Sequence, residues 1–129
     1  MQTRQTIATP NAPRAIGPYS QAVIAGGLVH CSGQIAIDPT SGEFLAGDVR
    51  AQTERVLDNL AAILRAADMD FRDIVRAGIF LTDLQDFGTV NACYGARFSA
   101  DPPARATVQV AGLPRGVLVE IDAIAVADR

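Results

Sequence analysis

The sequence predicts an α+β domain in which two helices cover one face of a β-sheet. Two observations lead to this class. The apolar segments follow one another as strands, a helix, a strand, a second helix and a closing pair of strands. The segments GLVHCSGQIAI and AGIFLTDL have apolar residues at both odd and even positions, which indicates a sheet covered on both faces. Because two helices cover only one face, we expect a second copy of the chain to cover the other, and therefore a homo-oligomer.

Runs rich in valine and isoleucine, each bounded by Gly, Pro or Asp, predict the strands. They are a short strand around Thr6 and longer strands at Ser20–Ala25, Leu28–Ile37, Ile74–Leu81, Ala104–Val110 and Val117–Val126. Asp48 can cap a first helix, whose apolar stripe is formed by Val49, Val56, Leu57, Leu60, Leu64 and Ala67. A second helix is predicted from about Asp86 to Phe98, where apolar and aromatic residues recur at helical spacing.

The 129 residues fit a single domain, residues 1–129, which is large enough to bury a core without a disulfide or a structural metal. No apolar stretch reaches the length of a transmembrane helix, and the first residues lack the pattern of a secretory signal. We therefore expect a cytoplasmic protein that does not span a membrane. The two cysteines and the one histidine are not spaced as metal ligands, so no metal site is expected.

All 11 basic residues are arginines, and the formal net charge is −3. The absence of lysine excludes a Schiff base between a lysine of this chain and a substrate or pyridoxal phosphate. The arginines are scattered along the sequence, and the negative net charge opposes the counterion release that drives nucleic-acid binding. We therefore expect no nucleic-acid partner.

The last two predicted strands place Arg105 and Glu120 in apolar surroundings. If residues 111–116 connect these strands as an antiparallel hairpin, alternation puts Arg105, Thr107, Glu120 and Asp122 on one surface. Arg105 and Glu120 are then opposite or diagonal neighbours. The pattern leaves two interpretations open. One is a solvated ion pair worth under about 1 kcal/mol; in the other, Arg105 binds a substrate carboxylate and Glu120 handles a proton or a water beside it.

Four segments of the chain resemble the reactive intermediate deaminase A family, RidA, also called the YjgF family. They are AIGPYSQAV (Ala15–Val23), CSGQIAIDPTSGE (Cys31–Glu43), DLQDFGTVNACY (Asp83–Tyr94) and PARATVQVAGLPRGVLVEIDAIAV (Pro103–Val126). The resemblance runs almost from end to end, and its Pro-Ala-Arg, Leu-Pro and Val-Glu-Ile elements are highly specific together. It implies a chorismate-mutase-like mixed sheet of about six strands, assembled as a homotrimer with sites in the clefts between subunits.

The resemblance further implies an imine deaminase that works without a cofactor. Members of the family hydrolyse 2-aminoacrylate, 2-aminocrotonate and related enamine or imine acids, released by pyridoxal-phosphate dehydratases, to 2-keto acids and ammonia. This chain is then expected to be a 2-iminobutanoate/2-iminopropanoate deaminase that takes small 2-imino and 2-enamino acids. The absence of lysine agrees with a protein that receives such an intermediate and does not make it.

Carried over residue by residue, the resemblance implies that Arg105 and Glu120 are catalytic. Arg105 would hold the substrate carboxylate bidentately. Glu120 would position or deprotonate the attacking water, or relay a proton during enamine-to-imine tautomerisation. The residues that would line the substrate site are Tyr19, Ser32, Gly33, Asn91 and Thr107.

Two departures from the family pattern bear on this expectation. Many family members have cysteine where this chain has Thr107, but threonine keeps a hydroxyl and we expect activity to survive. The connection Ser99–Pro102 is shorter than in many relatives, which bears on the range of substrates and not on the reaction type.

Three other functions stay open at this point. A non-catalytic trimer could bind small 2-keto or amino acids as a regulatory or chaperone-like module, using Arg105 without Glu120. A ribonuclease or translation inhibitor would require a basic groove, which the scattered arginines do not indicate. A chorismate mutase would share the fold alone, and the fold does not fix the function.

Overall fold

Residues 3–126, which the computed structural model describes, form one mixed sheet of six strands with two helices on one of its faces. The strands are β1 (Arg4–Ile7), β2 (Ala22–Ala25), β3 (Leu28–Gln34), β4 (Ile74–Leu81), β5 (Ala104–Gln109) and β6 (Val119–Val126), and the helices are α1 (Val49–Ala66) and α2 (Phe87–Gly95). The strand order is β1-β2-β3-β6-β4-β5. Within these residues only β4 and β5 run parallel. The predicted α+β class is confirmed.

Helix α1 forms as its sequence predicts. The Asp48 carboxylate accepts a hydrogen bond from the Ala51 backbone N–H at 2.9 Å, which caps the first turn. The buried face of the helix includes Leu57, Leu60 and Leu64, which pack against the sheet in one core. Each such side chain contributes about 1.5–3 kcal/mol when it is removed from water. This packing fixes α1 against β3 and β6.

Two predicted elements end several residues earlier than their patterns indicate. β3 ends at Gln34 and not at Ile37, because the register with β6 shifts between Cys31 and Gln34 and Ile37 bridges Phe44 instead. α2 covers Phe87–Gly95, a shorter span than predicted, because the chain leaves the helix at Ala96. Such boundaries depend on local irregularities that hydrophobic periodicity does not encode.

The predicted closing hairpin is wrong. β4 lies between β5 and β6, pairing in parallel with the first and antiparallel with the second. Ala77 is the partner of both Arg105 and the buried Ala123, so these side chains share the face that the helices cover. Glu120 has the opposite parity on β6 and points to the other face. Within one protomer, therefore, Arg105 and Glu120 are not neighbours on one surface.

The error has a physical cause in the apolar residues of β5. Matching the apolar faces of the two strands predicts the hairpin, but Val108 lies on the face without helices and is 44% exposed. The connection between β4 and β5 contains α2, and a crossover of that length allows parallel pairing. An apolar side chain on this uncovered face agrees with the expectation that a second copy covers it, which stays a prediction. No helix within residues 3–126 is long and apolar enough to cross a membrane.

Candidate functional site

One face of α2 holds the guanidinium of Arg105. Arg105 Nη1 donates a hydrogen bond to Asn91 Oδ1 at 2.8 Å. The guanidinium carbon lies 5.1 Å from the ring centroid of Tyr94 and 5.6 Å from that of Phe87. These three residues recur at positions i, i+4 and i+7 of the helix, which places them on one side. Arg105 is therefore oriented by an amide and two aromatic rings before any ligand arrives.

Two hydroxyl groups on the same side of the sheet are buried without a partner. Thr107 follows Arg105 at the same parity of β5, and its Oγ1 makes no hydrogen bond to any described residue. The same holds for the hydroxyl of Tyr94. Burial raises the pKa of Tyr94, and the nearby charge of Arg105 opposes this only in part. Both groups therefore stay protonated at neutral pH and can donate to a ligand or a water.

Glu120 lies in a cleft of about 310 Å³ on the other side of the sheet. The cleft is also lined by Tyr19, Gly33 and the arginines Arg14 and Arg115. Burial raises the pKa of Glu120, and the negative charge of Asp122 raises it further. A carboxyl group in this environment exchanges a proton closer to neutral pH than an ordinary glutamate does.

Gly33 makes room for the Glu120 carboxylate. A Cβ at this position would lie 2.9 Å from Glu120 Cδ and still closer to Oε2, whereas ordinary contact begins at about 3.4 Å. Any side chain here would displace the carboxylate from its present position. Glycine is therefore required by the close approach and not by backbone conformation.

The segment that carries Tyr19 is tied to β3 and to the N-terminal residues. Ser32 donates its hydroxyl to the Ser20 carbonyl at 2.6 Å and its N–H to the Gln21 carbonyl at 2.9 Å. Ser32 thus holds the Tyr19 segment, and its contact with a substrate stays a prediction. Tyr19 itself is 51% exposed and also lines two neighbouring clefts of about 830 and 630 Å³.

The structure brings the site residues together in two groups and not in one. Arg105, Asn91 and Thr107 lie on the side of the sheet that the helices cover, and none of them lines the three clefts described above. Tyr19 and Glu120 share the 310 Å³ cleft with Gly33, and Ser32 lines the adjoining cleft. Among residues 3–126, no three His, Cys, Asp or Glu side chains are grouped so that they could hold a metal ion.

Sequence reasoning missed three residues around the Glu120 cleft. Arg14 and Arg115 line it. Gln21 is buried, and its amide makes four hydrogen bonds to the backbone of Thr9, Ala12 and Pro13 at 2.7–3.3 Å. The only signal for Gln21 was a polar residue at the start of an apolar strand. Nothing in the sequence pattern distinguishes the two arginines from the other exposed ones.

The chain is similar to known proteins over nearly its whole length. A sequence model of the endoribonuclease L-PSP family matches residues 9–127. The chain is 58% identical to Protein DfrA of Myxococcus xanthus over 126 residues, which is 96% of each protein. It is 50% identical to the 2-iminobutanoate/2-iminopropanoate deaminase of Mus musculus, over 95% of this chain and 91% of that one. The crystal structure of the YjgF gene product of E. coli superposes with a TM-score of 0.89 at 52% identity, covering 95% of this chain and 98% of the other.

Proposed function

The chain belongs to the endoribonuclease L-PSP family, which is the RidA or YjgF family that its motifs resemble, and from this premise we propose that it is a cofactor-independent imine deaminase. Its substrates are small 2-imino and 2-enamino acids, such as 2-iminopropanoate and 2-iminobutanoate. Its products are 2-keto acids and ammonia. The deaminase relative at 50% identity supports this proposal. The reaction takes place in the cytoplasm, where pyridoxal-phosphate dehydratases release the intermediates.

The chemistry requires a bound carboxylate, a water and a proton shuttle. An enamine is first protonated at C3 and loses a proton from nitrogen, which gives the imine. Water then adds to C2, and the carbinolamine expels ammonia as the C–N bond breaks and the carbonyl forms. Arg105 holds the carboxylate and thereby fixes C2 for attack. Glu120 either takes the proton from the water or positions the water, and its raised pKa suits both roles.

The site is completed by a second copy of the chain. Arg105 and Glu120 lie on opposite sides of the sheet in one protomer, yet a three- or four-carbon acid has to touch both groups within hydrogen-bond distance. We infer that Arg105 of one protomer faces Glu120 of the next in a homotrimer, with a site in each cleft between subunits. The exposed Val108 on the uncovered face supports such an association.

The observation that carries the proposal furthest is the fixed orientation of Arg105. Its guanidinium is held by Asn91 and two aromatic rings, although no carboxylate of the described residues forms an ion pair with it. Here the bidentate donor face stays available for an external carboxylate.

A coupled assay tests the proposal. A serine or threonine dehydratase generates 2-aminoacrylate in the presence of semicarbazide, which traps any imine that escapes hydrolysis. The wild-type protein should accelerate keto-acid formation above the spontaneous rate, and Arg105→Ala should lower kcat/KM about 100-fold because two charge-assisted hydrogen bonds are lost. Arg72→Ala, which removes an exposed arginine paired with Asp70, should retain full activity.

The alternatives make different predictions in the same experiments. A protein that merely binds keto or amino acids would show no acceleration, and Glu120→Gln would leave its binding intact. A ribonuclease, which the family description suggests, would bind RNA more tightly as the salt concentration falls. We expect no such binding, because the net charge is −3 and the basic residues are dispersed.

A further inference from the structure

Two arginines that the proposed mechanism does not use lie on the wall of the Glu120 cleft. Arg14 and Arg115 both line the 310 Å³ cleft that contains Glu120 and Tyr19, and both also line the adjoining cleft of about 830 Å³. Both residues are exposed. Within residues 3–126, neither guanidinium makes an ion pair or a hydrogen bond to a side chain. Their donors are therefore available to a molecule in the cleft.

The backbone at both arginines is held in place by its surroundings. Arg14 follows directly after the segment 9–13, which the buried amide of Gln21 fixes through four hydrogen bonds. Arg115 occupies a left-handed turn with φ 59°, and its guanidinium carbon lies 5.3 Å from the centroid of the Phe44 ring. Fixed attachment points reduce the entropy that each side chain loses when it binds an anion.

The cleft has more positive charges on its wall than a substrate with a single carboxylate needs. Arg14 and Arg115 line the cleft together with Glu120, which is the only acidic residue among the described residues that line it. In the proposed mechanism the carboxylate beside the imine is already held by Arg105. Arg14 and Arg115 are then left for the other end of the substrate, where they provide a complement for a second acidic group.

We infer that the site selects 2-imino dicarboxylic acids, in which Arg14 and Arg115 bind the distal carboxylate. This inference rests on the proposed deaminase function and names the substrate class for it. The reaction is unchanged: water adds to C2, the C–N bond breaks and ammonia leaves, so no further reactant is needed. The reaction that supplies such a substrate is the two-electron oxidation of an acidic 2-amino acid at its C–N bond by an amino-acid oxidase, with molecular oxygen as the electron acceptor and hydrogen peroxide as the second product.

The test compares dicarboxylic with monocarboxylic imines in the same assay. Amino-acid oxidases generate 2-iminosuccinate or 2-iminoglutarate from the acidic amino acids and 2-iminopropanoate from alanine, with catalase and semicarbazide present. For the wild type, Arg14→Ala, Arg115→Ala and the double variant, we compare the ratio of kcat/KM for the dicarboxylic imine to kcat/KM for 2-iminopropanoate. The ratio should fall at least about tenfold in the double variant, because charge-assisted hydrogen bonds to the distal carboxylate are lost. Arg72→Ala, which lines none of the three clefts, should leave the ratio unchanged.

Each other outcome has a distinct meaning. If the wild type hydrolyses both imines and the ratio is the same in every variant, the inference is overturned and the deaminase function stands. If the double variant loses activity equally on both substrates, the arginines bind the carboxylate beside the imine, which also overturns the inference. If the wild type accelerates hydrolysis of neither imine, the proposed function fails and the inference fails with it.

Discussion

Replacing Gly33 by alanine should disable the site while leaving the fold intact. The added Cβ would lie 2.9 Å from Glu120 Cδ and closer still to Oε2, where ordinary contact begins at about 3.4 Å. The carboxylate must therefore move by about 1 Å, and a misplacement of that size costs about 100-fold in rate. Because Glu120 is only half-buried, its side chain can rotate away at a cost of about 0.5–1.5 kcal/mol.

Two matched glycine variants control for the substitution itself. In Gly78→Ala the new Cβ would lie 2.5 Å from Oδ1 of Asp122, so it displaces a different carboxylate from the same face of the sheet. In Gly112→Ala the new Cβ would have no atom within 4 Å. We expect kcat to fall about 100-fold in Gly33→Ala, and to fall much less in Gly78→Ala and hardly at all in Gly112→Ala.

The assay is keto-acid formation from 2-aminoacrylate in the presence of semicarbazide, together with thermal unfolding of each variant. Gly33→Ala should unfold within a few degrees of the wild type, since about 1 kcal/mol corresponds to roughly 4 °C in a domain of this size. A folded Gly33→Ala protein with wild-type kcat would refute the role of the Glu120 position. Equal losses of kcat in Gly33→Ala and Gly78→Ala would assign the effect to the face as a whole and not to Glu120.

Three further predictions concern ionisation and packing. Because the folded-state pKa of Glu120 is raised, its contribution to stability is present below the unfolded pKa and is lost as the pH rises through the folded pKa. Glu120→Gln should therefore have a higher Tm than the wild type at pH 8 but not at pH 4. The same difference in Tm at both pH values would count against the raised pKa. Burial raises the pKa of Cys31 to about 12, so about one thiol in ten thousand is ionised at pH 8. In a Cys93→Ser variant, iodoacetamide should label Cys31 rapidly in urea and barely in buffer. Rapid labelling of the folded protein would show that the thiol is accessible and contradict this prediction. Leu60→Ala should lower the free energy of unfolding, measured by urea titration, by about 2–5 kcal/mol, because Leu60 is 1% exposed in the core. A decrease in the free energy of unfolding of less than about 1 kcal/mol would mean that α1 repacks.

The elements of this fold could be predicted from the sequence because they depend on local periodicity and capping. Asp48 and the stripe through Leu57 and Leu60 predict α1, and alternating valines and isoleucines predict the strands. The neighbour of β5 could not be predicted in the same way. Alternation determines which residues of a strand share a face, but it does not determine which strand lies alongside. Because Val108 is apolar and lies on the uncovered face, matching apolar faces pairs β5 with β6, whereas its actual neighbour is β4.

In the candidate site, too, some features depend on local sequence and others depend on the strand order. The resemblance implies one set of site residues, and the structure divides that set into two groups: Arg105 with Asn91, and Glu120 with Gly33 and Tyr19. It could not show that the halves lie on opposite sides of one protomer, because that depends on the strand order. Alternation places Arg105 and Glu120 side by side only if β5 and β6 pair with each other, and β4 lies between these two strands.

Mixing two inactive variants tests most directly whether one site is built from two protomers. Arg105→Ala and Glu120→Gln are unfolded together in equal amounts and refolded, and keto-acid formation from 2-aminoacrylate is compared with that of each variant refolded alone. If every site takes Arg105 from one protomer and Glu120 from the next, random assembly restores both residues in about a quarter of the sites. A site shared between protomers should therefore give the mixture about a quarter of the wild-type activity. Activity in the mixture no higher than in either variant alone, with the oligomer formed, would contradict a site shared between protomers.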